Sequence, residues 1–295
     1  MRRVRTILVA TALEILSEPL SLLLLLSALV LAVLTPAFHY HQFGEPTRMA
    51  RDAALSAIFT CGSAVAVFGT IRTFRREIET GTMSMAIAHP VPRTMFFLAK
   101  CAGSLLALVV FDLTVFGAGA TIVAGALVGG EIAAQSGDVA RLWGPAFAAG
   151  VAVAVVPLVA AAGLNRFARV RFVPAAILLA LLLGVLALFG AAVVKSHLTL
   201  RLLSAAMPIL VLSSVYLVAS AAFAVRFSSS AAASAAGLVV AASLPIVGNY
   251  YLSDALSRGG SVGAGYLLCS LLAAAPAVGA LLLLGVHFAN GREIS

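Results

Sequence analysis

Charge is scarce in this sequence. Charged residues fill 10% of the 295 positions, against about 25% in an ordinary soluble domain. A chain so poor in charge cannot cover a globular surface with water-loving groups, which excludes a free-standing soluble fold. Cysteine is equally sparse. Cys61, Cys101 and Cys269 are too few, too far apart and too deep in apolar sequence for a disulfide framework or a zinc site. Catalytic signatures are missing as well: there is no Gly-x-x-x-x-Gly-Lys-Ser/Thr phosphate loop, no His-Glu-x-x-His and no Gly-x-Ser-x-Gly elbow. The chain is not expected to be an enzyme or to hold a cofactor, and any ATP it uses must be bound by another chain.

What is abundant is oil. Hydrophobic residues make up 62% of the chain and the mean hydropathy is +1.11, which predicts an all-α polytopic membrane protein in a lipid bilayer. A helix needs about 20 apolar residues to cross the hydrocarbon core. About eight such runs emerge, at 19–38, 53–73, 94–128, 144–164, 173–194, 205–225, 231–250 and 266–289, with six or seven spans plus a re-entrant piece as the alternative. No connection is long enough for a soluble domain, so 1–295 is read as one transmembrane domain.

The net charge is +8, but the basic residues are scattered between apolar runs and form no single basic face, so no nucleic-acid partner is expected. They set topology instead. With the amino terminus inside, the cytosolic connections hold Arg2, Arg3, Arg5, Arg72, Arg75, Arg76, Arg93, Lys100, Arg166, Arg169, Arg171, Arg226 and Arg292. The outer ones hold Arg48, Arg51, Arg141, Lys195, Arg201 and Arg258. This split of roughly two to one follows the positive-inside rule and puts both termini in the cytosol. At the amino terminus, Glu14 and Glu18 interrupt what would be the apolar core of a signal peptide, so no cleavage is expected. Arg2, Arg3 and Arg5 against Ile7, Leu8, Ile15 and Leu16 predict an amphipathic interfacial helix over 1–18.

One stretch, 71–100, cannot be explained by apolar burial. It carries Arg72, Arg75, Arg76, Glu77, Glu79, Arg93 and Lys100. Arg75 and Arg76 end a span, and Glu77 and Glu79 are expected to start a short helix whose dipole favours acidic side chains, with Thr80 or Thr82 as its cap. Met83, Met85 and Ile87 give that helix a flexible apolar surface before Pro90 and Pro92 break it, and Arg93 and Lys100 anchor the next span. Such a helix can insert into a groove on a cytosolic partner and transmit movement. The competing reading is a solvated turn between spans.

The order Glu77-x-Glu79-x-Gly81-Thr82, then Pro90-Val91-x-Arg93, then Lys100, resembles the first cytosolic loop of type-2 ATP-binding-cassette (ABC) transporter permeases. Ala99 stands where that family usually has Gly. The tail Phe288-x-x-x-Arg292-Glu293 is similar to the family's ending, and the small residues around Arg226 are similar to its later basic turn. The resemblance implies a six-span permease whose coupling helix, in the loop 74–93, docks on a separate cytosolic ABC ATPase. It also implies a second permease copy or paralogue, ATP and magnesium bound by the ATPase, and export of a substrate across the bacterial inner membrane. By carry-over, Arg75, Arg76, Glu77, Glu79, Gly81, Thr82, Met83, Met85 and Ile87 lie at or near the ATPase contact, with Pro90 and Arg93 at its exit.

Asp112 is the other residue of note. In the third apolar run an ionised carboxylate costs about 2.5 to 3.5 kcal/mol on insertion scales, so it is expected at a helix interface or in a wet pathway. It supports a rival reading, an ion-gradient-driven transporter working through Asp112; a third is a membrane scaffold that moves nothing. Gly117, Thr121, Gly125 and Gly129 form a small-residue stripe suited to close helix packing. His39, His41 and Met49 are too weak a set to predict a metal. Tyr250, Tyr251 and Tyr266 border an expected interfacial segment in the last outer loop.

Overall fold

The computed structural model describes residues 2–34, 46–80, 92–136, 144–194, 196–227, 229–240 and 264–291. Apolar runs of this length can satisfy their backbone in a bilayer only by coiling on themselves or closing a barrel. Here they coil, and no strand occurs among the described residues. The helices are α1 (Arg2–Leu16), α2 (Pro19–Leu34), α3 (Pro46–Ala64), α4 (Thr70–Glu79), α5 (Arg93–Ser136), α6 (Gly144–Ala168), α7 (Phe172–Val194), α8 (Ser196–Arg226), α9 (Ser230–Val240) and α10 (Ala264–Gly291). A π-helical turn, Val65–Gly69, joins α3 to α4 without ending the rod.

Six helices among the described residues are long and apolar enough to span: Ala50–Glu79, Arg93–Gly129, Phe147–Ala168, Phe172–Gly190, Leu202–Arg226 and Leu267–Asn290. These match six of the eight expected runs. The other two are described only in part. α2 is a short helix that meets α1 at a 61° bend, the pair together passing as one broken span or a re-entrant turn, and α9 is a short apolar helix whose continuation lies outside the described residues. The expected interfacial helix exists as α1, but its Ile15 and Leu16 are buried in the protein while Val9 and Leu13 stay exposed. α1 packs along α5 because Gly103 there has no side chain: a Cβ would stand 2.6 Å from the Leu8 carbonyl oxygen.

α3 and α5 form the centre. Most of each spanning stretch is covered by other helices, whereas α6, α7 and α10 leave most of theirs uncovered. Small residues decide how closely the rods approach. A Cβ on Gly117 of α5 would lie 2.2 Å from the Gly184 oxygen of α7, so at this crossing backbone touches backbone. Of the predicted small-residue stripe, Gly117 is the member in that contact, while Thr121 turns its hydroxyl back onto the Ala118 carbonyl at 2.7 Å.

The ends of several helices gather at one end of the bundle. Arg75 of α4 donates to the Phe227 carbonyl just past α8 at 3.1 Å, and Arg93 at the start of α5 donates to the Asn290 carbonyl of α10 at 3.4 Å. The α1–α2 bend joins them through Glu18. These connections belong to the set that the positive-inside count grouped on one side. Nearby, α6 closes on a left-handed Arg169 (φ 55°), with Asn165 donating to the Val170 carbonyl at 2.8 Å to hold the tight turn.

Candidate functional site

The charged segment does not start a new helix. Glu77 and Glu79 lie in the last turn of α4, where the dipole opposes acidic groups, and Thr80 closes α4 with its hydroxyl on the Arg76 carbonyl at 2.8 Å. The expected helix start at Glu77 is therefore corrected. Partners, not the dipole, hold these carboxylates. Glu79 pairs with Arg75 at 3.1 Å one turn earlier, and Glu77 pairs with Lys100 of α5 at 2.9 Å. Gly81, Thr82, Met83, Met85, Ile87 and Pro90, with the coupling helix expected there, lie outside the described residues.

Lys100 is the pivot of this layer. Its side chain is fully buried, and besides the Glu77 pair it donates to the Thr73 carbonyl at 3.0 Å. Its ammonium also sits 4.9 Å from the Phe74 ring centre and 5.9 Å from that of Phe96, within cation–π range. A buried ammonium is tolerable only when its donors are used in this way. Read from the sequence, Lys100 was an interfacial anchor; the structure makes it a buried clasp between α4 and α5.

Two further pairs tie α4 to α1. Glu18 meets Arg72 at 2.9 Å and Glu14 meets Arg76 at 3.5 Å. The sequence held a signal for this that reading by topology missed: two acids four apart match two arginines four apart, so one helix face presents each set. The pairs are modest in strength, because the arginine side chains are 60% and 66% exposed and solvent screens such contacts to about 0–1 kcal/mol. Glu18 is the buried member, at 9% side-chain exposure. Arg72→Ala is accordingly expected to lower stability more than Glu18→Gln, since the first strands a buried carboxylate and the second frees an already hydrated arginine. Thermal unfolding of the two variants in detergent checks the order.

The result is a segment, α4, clasped to α1 by Glu14 and Glu18, to α5 by Lys100 and to the turn after α8 by Arg75. The far side of the undescribed 81–91 connection is clasped to α10 by Arg93. At the tail, Arg226 stands 5.9 Å from the ring centre of Phe288.

Asp112 lies elsewhere, midway along the spanning part of α5 and 7% exposed. Its carboxylate rests on Gly62 of α3, where a Cβ would be 2.4 Å from Oδ1, and neither oxygen has a hydrogen-bond partner among the described residues. It thus lies where α5 meets α3. His39, His41, Tyr250 and Tyr251 lie outside the described residues, and Met49 falls in the first turn of α3. No group of three or more His, Cys, Asp or Glu that could hold a metal comes together among the described residues.

Fold and site together define an all-α polytopic membrane protein with a charged clasp at one end of the bundle. Comparison with protein-family models, curated proteins and solved structures finds no match.

Proposed function

We propose that the chain is the membrane-spanning permease subunit of an ABC transporter, coupling ATP hydrolysis by a separate cytosolic ATPase to export of a substrate across a bacterial inner membrane. The motif resemblance over 74–100 brings the reading in, and one structural observation supports it best. Both flanks of the 81–91 connection are tied to the bundle by charge-assisted bonds, Glu77 to Lys100 and Arg75 to Phe227 on one side, Arg93 to Asn290 on the other. A push on that connection would reach α1, α5, α8 and α10 together. A turn with no mechanical task has no need of such bracing. Among the described residues six unbroken helices are long and apolar enough to span, the number the resemblance implies, with the bent α1–α2 pair beside them.

In this reading the α4 end faces the cytosol with both termini, the ATPase holds ATP and magnesium, and a second permease copy or paralogue completes the complex. Glu79, whose side chain is 62% exposed, and the apolar Met83, Met85 and Ile87 meet the ATPase.

The test is co-purification with a co-expressed cytosolic ATPase. Replacing Met83, Met85 and Ile87 by Ser is expected to weaken the complex at least tenfold, because losing even one apolar hot-spot anchor costs about 2 kcal/mol, roughly thirtyfold in affinity. Glu77 is left intact, since its loss would unfold the clasp with Lys100 and blur the result. A complex that forms equally well with the altered loop sinks the proposal.

A further inference from the structure

We propose that Asp112 is a proton-binding site at the centre of the membrane domain, occupied in the α3–α5 packing described here and emptied when those helices part beside the π-helical turn. The inference stands on Asp112 and its surroundings alone and does not rest on the permease reading.

The carboxyl is almost completely buried, halfway along a spanning helix, with no partner for either oxygen among the described residues. An ionised carboxylate in that position needs a counter-charge. Among the described residues the elements packed against it supply none nearby: on the α3–α4 rod Arg72 is about 15 Å along the axis from Gly62 and pairs with Glu18. On its own helix the nearest cation, Lys100, is three and a third turns away, about 18 Å along the axis, and committed to Glu77. On α3, Arg51 and Asp52 pair with each other at 3.3 Å, about 15 Å along the axis from Gly62. α2 and α7 contain no charged residue, and the α6 cation Arg166 lies in that helix's last turn. On α1, Glu14 pairs with Arg76 at the clasp end. On α8 and α10 the titratable groups away from the ends are Tyr216 and Cys269; Cys61 lies beside Gly62 on α3. A phenol or thiol is ordinarily neutral near pH 7 and brings no positive charge.

On its α3 side the carboxyl is closely packed. Oδ1 rests directly against the Gly62 backbone, with no room for even a methyl group between them. Hard metal cations collect six or more oxygen ligands, and none of the described oxygens bonds to this carboxyl. A proton needs one oxygen: binding forms an Oδ–H bond from hydronium and releases water, and the reverse step returns the proton to water.

The site also has a place to open. Gly62 lies three residues before the π turn Val65–Gly69, a widened coil that often marks a functional break in a helix. Buried hydroxyls with no hydrogen-bond partner among the described residues lie on the α3–α4 rod at Ser63 and Thr70, beside the turn, and on the neighbouring α8 at Ser213, Tyr216 and Ser220. Water entering there would find groups to bond with, and the carboxylate could then ionise.

Dicyclohexylcarbodiimide, which forms a stable N-acylurea on protonated carboxyls in apolar surroundings, is the probe, applied to the purified full chain and read by peptide mass spectrometry. The expected result is labelling at Asp112, falling about tenfold per pH unit above its titration point, with the label lost from that peptide in Asp112→Asn. Gly62→Ala, which forces the carboxyl off α3, is expected to move the labelling profile to lower pH. No label on Asp112 at any pH between 6 and 10 while Glu14 or Glu18 is modified overturns the proposal. So does protection by sodium, potassium or magnesium ions, which would assign a metal cation instead. An unmoved profile in Gly62→Ala overturns the link to α3–α5 packing.

Discussion

Lys100→Met is expected to cost about 3 kcal/mol of stability, the largest effect of any single charge among the described residues. Removing one member of a buried ion pair typically costs 3–5 kcal/mol because the other charge stays behind uncompensated. The lower end applies here, since Glu77 keeps 26% side-chain exposure and water can partly take over from the ammonium. The Thr73 carbonyl loses its donor as well, and the Phe74 and Phe96 rings lose their cation. Adding Glu77→Leu should recover much of the loss, because a matched apolar pair leaves no buried charge. The double-mutant cycle, measured by thermal or denaturant unfolding in detergent, reads this directly. A Lys100→Met variant within about 0.5 kcal/mol of the parent would mean that the lysine is hydrated and that α4 and α5 are held by something else.

Gly117→Val should strongly destabilise the crossing of α5 and α7. The first side-chain carbon would fall 2.2 Å from the Gly184 oxygen, 2.5 Å from its carbonyl carbon and 2.8 Å from its Cα. All three are backbone atoms, so no rotamer change can make room. The helices must separate, and overpacking of this kind costs about 1–3 kcal/mol or more. Gly163→Ala is the matched control. Nothing lies within 4 Å of a Cβ there, so the substitution should be neutral or stabilise by up to about 1 kcal/mol through helix propensity. The contrast in unfolding temperature between the two checks the α5–α7 contact. Equal effects would place the crossing elsewhere.

Both cases show where sequence reasoning reaches and where it stops. The spans could be read because hydropathy over about 20 residues is a local quantity, and six of the eight expected runs are spanning helices. Of the other two, 19–38 is described as α2, which meets α1 at a 61° bend that composition does not record, and 231–250 is described only over α9. Glu77 and Glu79 were read as a helix start because acids favour helix N-termini. In the fold they close α4, and the penalty at that end is offset by Lys100 and Arg75, one of which lies on another helix. Asp112 was singled out from its place in an apolar run, but its seat on Gly62 and the π turn beside it were not visible. A π turn carries no residue signature that separates it from ordinary helix.

The sequence alone determined an all-α membrane chain, the approximate position of most spans, and the collection of most basic residues in connections that meet at one end. These follow from the cost of exposing backbone and charge to hydrocarbon, which acts on each segment separately. The tertiary structure decided which charges neutralise one another, Lys100 with Glu77 and Glu18 with Arg72, and which glycines let helices touch. Those outcomes depend on side chains far apart in the chain meeting at a few ångströms, and only packing sets such distances.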